Sequence, residues 1–265
     1  MTAKNRYKTY VENTYYHCYN RGVEKRIIFQ DDQDYKVFLS YLKFYLSPAS
    51  DPRGPSPRLS PAQQLTNHHD SISLIAYCLM PNHFHLLIKQ VNANSMTRFL
   101  RAISTRYSIY FNKRYSRVGS LFQGRYKAVL INNEMQFLYL TKYIHRNPLK
   151  LIGNNPNNLV VYPYSSYPNY LNLIDQSWVD PQNITYRYSP KNTNNQYKSF
   201  VEETNELATE ITTMGELTLD WETYDPRGPS PRIIMQDLDD TGFHPQGIGK
   251  LFAAQFQRTS RGQVT

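Results

Sequence analysis

Two of the chain's seven histidines, His83 and His85, lie one residue apart in the apolar run CLMPNHFHLLIKQ at 78–90. The alternation is that of a β-strand, so both imidazoles project from one face of a sheet, while Phe84 points the other way into a core. Such a pair can hold a divalent ion, and it can equally be a pair of sheet-surface or hydrogen-bonded histidines. Imidazole suits manganese and zinc better than magnesium, which it accepts when other ligands fix it. A structural zinc site wants two more strong ligands, and Cys18 and Cys78 lack the spacing to supply them. A second stretch, KYIHRNPLK at 142–150, places Tyr143 and Asn147 four residues apart, one helical turn, as are Tyr139 and Tyr143. A phenol and an amide oxygen so placed could reach one ion. A phenol with its ordinary pKa of about 10 is a poor nucleophile until a cation or charged pocket favours phenolate. The same residues also read as a helix ending at an Asn-Pro stop with Tyr143 packed in the core. With 23 tyrosines in the chain, residue type alone singles out none.

The surroundings of these residues are basic. Residues 98–127 contain Arg98, Arg101, Arg106, Lys113, Arg114, Arg117, Arg125 and Lys127, and no Asp or Glu. Such a run can bind the phosphates of a nucleic acid, with Tyr115 or Phe122 to stack on bases, or it can be a merely solvated surface. The net charge of +9 is uneven: residues 1–198 carry 25 basic and 10 acidic side chains, and residues 199–265 carry 5 and 11. A basic body favours a polyanionic partner, and the acidic C-terminal part should stay apart from that surface or shield it. Without a signal-like N-terminus, a disulfide framework or a long apolar run, the expectation is a soluble cytoplasmic protein with no membrane contact.

The elements that must position these groups follow from pattern. TYYHCYNR at 14–21 reads as a strand. A helix follows with Asp31 and Asp32 at its start and the stripe Tyr35, Phe38, Leu39, Leu42, Leu46, stopped by Pro48. A Pro- and Ser-rich loop spans about 47–70. SISLIAYCLM and HFHLLIKQ, separated by Pro81-Asn82, form an antiparallel hairpin. A helix over 94–115, capped by Asn94 or Ser95, a strand within LFQGRYKAVLI and a helix over 133–145 complete the order. Strand, helix, hairpin, helix, strand, helix predicts an α+β domain with one antiparallel sheet. Residues 1–180 form that domain, with Trp178 anchoring a chain that wraps around it, and 181–265 an acidic extension with a helix near 197–213. The octamer DPRGPSPR occurs twice, at 51–58 and 225–232, and reads as an extended peptide in both places.

The segments YCLMPNHFHLLI, GSLFQGRYKAVLI and YIHRNPLKLIG, with WVDP around Trp178, resemble the IS200-like family of single-strand DNA transposases, in particular its REP-associated tyrosine transposase branch. The resemblance covers residues 8–180 and implies a ferredoxin-like or RRM-like sheet. It implies His83 and His85 as ligands of a magnesium or manganese ion and Tyr143 as nucleophile. Asn147 stands where the better-known insertion-sequence branch has glutamine, and would complete the metal site. The implied reaction cleaves and rejoins single-stranded DNA at hairpin or palindromic elements through a 5′-phosphotyrosine, often in a dimer. Two other readings keep most of these residues: a catalytically inactive nucleic-acid-binding regulatory module, and a metal-dependent hydrolase of small phosphates.

Overall fold

The structure, a computed structural model, describes residues 10–48, 67–181 and 194–203; the 49–66 part of the loop, both octamers and most of the acidic extension lie outside the described residues. The elements run β1 (Thr14–Arg21), α1 (Asp32–Leu46), β2 (Ile72–Met80), β3 (His83–Gln90), α2 (Ser95–Arg114), β4 (Lys127–Leu130) and α3 (Glu134–Arg146). The four strands form one antiparallel sheet in the order β2-β3-β1-β4. With one helix after β1 and one after β3, this is the expected ferredoxin-like α+β arrangement. Pro81 and Asn82 alone join β2 to β3, pairing Met80 with His83. The strand expected in LFQGRYKAVLI is shorter than its pattern: Phe122 makes a single bridge to Gly22, Gly124 takes a φ of +75°, and the continuous ladder begins at Lys127.

The alternation of β3 separates two environments. Phe84, Leu86 and Ile88 are fully buried under α1 and α2, with Phe84 5.3 Å from Phe38 between ring centres. His83 and His85 face the opposite side, level with Arg21 and Tyr19 of β1. That side is covered by α3, whose Phe137 meets Tyr15 edge-on at 4.6 Å. The start of α3 is set by a reciprocal pair of bonds. Asn133 Oδ1 accepts from the Gln136 amide at 2.8 Å, and Gln136 Oε1 accepts from the Asn132 amide at 2.9 Å. At α2 the side chain of Asn94 makes no cap bond; Gln90, buried at the end of β3, accepts from the Met96 amide at 3.2 Å instead.

Residues 156–180 wrap around the edge of β2, and Trp178 stacks on Tyr77 at 5.4 Å as an anchor. A short helix α4 (Tyr167–Tyr170) lies within this wrap, and α5 (Asn194–Glu202) packs on the outer side of α3. There Arg146 donates to the carbonyls of Val201 (2.6 Å) and Glu203 (3.1 Å). No helix among the described residues is long and apolar enough to cross a membrane.

His145 links these pieces, bonding Tyr197 Oη and Ser166 Oγ at 2.8 Å each. Burial pushes its pKa down to about 3. The unfolded chain takes up this proton below about pH 6.5, whereas the folded protein refuses it until about pH 3. Its contribution to stability is therefore complete above pH 6.5 and is lost as the pH falls toward 3. The unfolding free energy of metal-free protein should decline across that window, and His145→Gln should flatten the decline; chemical denaturation at pH 7, 5.5 and 4.5 measures both slopes, and equal slopes would contradict the assignment.

Candidate active site

The site grows from three elements. β3 presents His83 and His85 side by side, their rings perpendicular with centres 4.9 Å apart. β1 adds His17, whose Nε2 lies 2.9 Å from His85 Nδ1. α3 carries Tyr143, whose ring meets His85 edge-on at 5.4 Å and His17 at 6.3 Å. One turn later, where α3 passes into the 3-10 turn Asn147–Lys150, Asn147 Oδ1 stands 3.1 Å from His83 Nε2. The four residues singled out in sequence thus converge on one place.

Burial decides the state of the imidazoles. It lowers the pKa of His83 to about 4, with the Asn147 bond opposing and the charge of Arg21 assisting. His85, fully buried beside the other two histidines, is held well below its ordinary value for the same first reason. Both are neutral at pH 7, the form that ligates a metal. His85 Nε2 is buried with no hydrogen-bond partner, a feature that a bound cation would relieve. His83 Nε2 and Asn147 Oδ1 lie 3.1 Å apart, so both would be within reach of one ion. No group of three His, Cys, Asp or Glu able to hold a metal occurs among the described residues. The donor set is therefore two imidazoles and an amide, without charge. It fits a divalent ion whose remaining positions and charge balance come from water and an anionic substrate.

Tyr143 itself is 5% exposed, so its ring is covered in this arrangement. The neighbouring tyrosines are placed for other tasks. Tyr107 lies across the sheet and donates to the Ile28 carbonyl at 2.5 Å, and Tyr139 packs against Phe200 of α5.

The eight basic residues divide. Arg125 and Lys127 share a cleft of about 120 Å³ with Tyr19, Arg21 and Gln123 at the β1–β4 edge. This cleft adjoins the histidines through the Arg21–His83 and Tyr19–His85 pairs. Arg98, Arg101 and Arg106 line a separate groove of about 800 Å³ at the outer side of α2. There Arg106 also lies over the rings of Phe44 (4.8 Å) and Tyr41 (5.2 Å). Lys113 is exposed, and Arg117 bonds Asn112 at 3.0 Å. Arg114 is bound by Asp31 and Asp34, both on or beside α1. The two aromatics expected to stack on bases are engaged elsewhere. Tyr115 donates to Asp34 Oδ2 at 2.8 Å, and Phe122 is buried against Phe84. Pattern reading missed His17 and Arg21, although both lie in TYYHCYNR at i and i+4 and so share a strand face; what it could not show is that β1 pairs beside β3.

The family model for "Transposase IS200 like" matches residues 57–147, about a third of the chain. Among solved structures, one described as the REP-associated tyrosine transposase bound to a REP hairpin is similar at 15% sequence identity and a TM-score of 0.45, covering 68% of this chain and 98% of that one. No curated protein matches the chain. His83, His85, Tyr143 and Asn147 all fall inside the segment that is similar to the IS200-like transposase model.

Proposed function

We propose that this protein is a metal-dependent single-stranded DNA transposase that cleaves and rejoins DNA through a covalent bond to Tyr143. The observation that carries the reading is the meeting of Tyr143 with the neutral His83–His85 pair, beside a buried imidazole nitrogen that lacks a partner. A divalent ion held by His83, His85 and Asn147 would supply charge neutralisation on a phosphodiester. The chain's own groups do the rest. Arg21, Arg125 and Lys127 at the adjoining cleft draw in and orient the backbone through its phosphates. The Tyr143 oxygen attacks phosphorus, the phosphorus–O3′ bond breaks, the phenol loses its proton and the leaving O3′ gains one. The 5′ side stays on the tyrosine as an ester. Attack by a second 3′-hydroxyl reverses the step and joins DNA without an added energy source.

The resemblance in sequence supports a hairpin-forming single strand as substrate. Because Tyr143 is covered, its side chain or α3 must shift when DNA enters. That same burial favours a second reading, a DNA-binding module without catalysis. A labelled single-stranded hairpin with manganese or magnesium separates the two: the transposase reading expects an adduct that survives denaturation and is reversed by an oligonucleotide with a free 3′-hydroxyl. Binding with no adduct in either metal supports the module.

The split of the basic residues has its own expected result. Removing one phosphate contact lowers the slope of log affinity against log salt by about one. Arg125→Ala and Lys127→Ala should each do so in filter binding to single-stranded DNA, with the melting temperature within about 2 °C of the parent, a surface substitution's usual effect. Unchanged slopes would place the DNA path elsewhere, with the α2 groove of Arg98, Arg101 and Arg106 as the next surface to test.

A further inference from the structure

The two paired histidines have their far nitrogens held by different residues. His83 Nδ1 lies 2.6 Å from Asn82 Oδ1. The orientation of the Asn82 amide is anchored from behind: its Nδ2 donates to the Lys25 carbonyl at 3.3 Å, so its oxygen must face the imidazole. His83 stands between two amide oxygens, Asn82 Oδ1 at 2.6 Å and Asn147 Oδ1 at 3.1 Å, and a neutral imidazole donates to only one. The shorter contact, to the anchored amide, selects Nδ1–H, and the Asn147 amide, which is not anchored in this way, must then turn its Nδ2 or leave Nε2 to a cation. The anchor depends on a tight return of the chain after β1. Gly22 donates to the Asn82 carbonyl at 2.8 Å, and a Cβ at Gly22 would lie 2.3 Å from the Arg26 carbonyl oxygen. His85 has the matching arrangement, with Nδ1 2.9 Å from His17 Nε2. If His17 accepts this bond, His85 too has its lone pair on Nε2, the buried nitrogen that lacks a partner beside Tyr143. In the opposite sense His85 Nε2 would carry a buried proton and could not ligate anything.

We infer that Asn82 and His17 are positioning residues that hold His83 and His85 in the Nδ1–H form, so that both Nε2 lone pairs converge on the space between β3 and α3. The inference rests on the metal-assisted reading for the sense of the His17–His85 bond. The His83 half stands on the anchored amide alone. Partners on the far nitrogen fix ring orientation and raise ligand basicity, and their loss weakens metal affinity about 10- to 100-fold.

The test begins with the full chain, metal-free, labelled with ¹⁵N-histidine at pH 7.5. Long-range ¹H–¹⁵N spectra distinguish the two neutral tautomers. Nδ1–H at both His83 and His85 is expected; Nε2–H at either overturns that half of the inference. Manganese titration by calorimetry is the second arm. His17→Leu should weaken binding about 10- to 100-fold, whereas His17→Gln, which restores an acceptor, should recover most of it. Asn82→Ala makes the same test on His83 from the turn, should His17→Leu fail to fold. Equal manganese affinity in the Leu and Gln variants, or in Asn82→Ala and the parent, overturns the positioning role. Parent protein with both Nδ1–H tautomers that never forms a DNA adduct would refute the proposed reaction and leave this inference intact.

Discussion

Tyr143→Phe should abolish the covalent protein–DNA adduct while changing affinity for the same hairpin by less than about threefold. The substitution removes one oxygen and keeps a ring of nearly the same volume, so the edge-on packing against His85 and His17 is retained. Among the described residues, the tyrosines nearest in kind are placed for other tasks. Tyr107 is committed to the Ile28 carbonyl across the sheet, and Tyr19, though near His85 at 6.0 Å between ring centres, is rooted in β1 rather than on α3. Loss of a nucleophile typically lowers a rate by several orders of magnitude, because the groups of such a site act as a unit. Adduct yield on denaturing gels and binding by anisotropy measure the two quantities separately. Binding lost in parallel with the adduct would mean that the phenol contacts DNA rather than attacking it.

Arg114→Ala should be the most damaging basic substitution for stability and the least informative for DNA. Asp34 is fully buried, and its carboxylate accepts from the Gln30 amide, Tyr110, Tyr115 and Arg114. Arg114 also bonds both oxygens of Asp31, the cap of α1, so one guanidinium ties the start of α1 to the end of α2. Removing one partner of a buried pair leaves an uncompensated charge and costs about 3–5 kcal/mol, or a melting temperature lower by about 10 °C in a chain of this size. Asp34→Asn in the same background should recover part of the loss, since the charge left behind is then gone. Thermal unfolding of the two single variants and the double variant gives the coupling. An Arg114→Ala protein with parental stability but weaker DNA binding would return this residue to the nucleic-acid surface.

These two residues show where sequence reading succeeds and where it stops. The alternation in HFHLLIKQ and the one-turn spacing of Tyr143 and Asn147 are local periodicities, and the backbone repeats them faithfully. The order of elements likewise carries most of the topology, because a two-residue turn forces β2 and β3 together. Partners set by strand order are different. His17 reaches His85 only because β1 inserts between β3 and β4, and nothing in TYYHCYNR specifies that neighbour. Arg114 looks like its basic neighbours in sequence; only the crossing of α1 and α2 brings it to Asp31 and Asp34. Burial is the third quantity that pattern leaves open. Tyr143 is both a member of the packed face of α3 and the proposed nucleophile, so the two alternatives that its sequence context allowed are combined in one residue.

The most direct measurement is the chemical position of the DNA on the protein. A hairpin oligonucleotide is incubated with manganese, the adduct is purified under denaturing conditions, and nuclease and protease digestion reduce it to a nucleotide-bearing peptide for mass spectrometry. The account predicts a 5′-linked nucleotide phosphate on Tyr143. A nucleotide on Tyr139, Tyr19 or any other residue, or cleaved DNA with no nucleotide left on the protein, would contradict it.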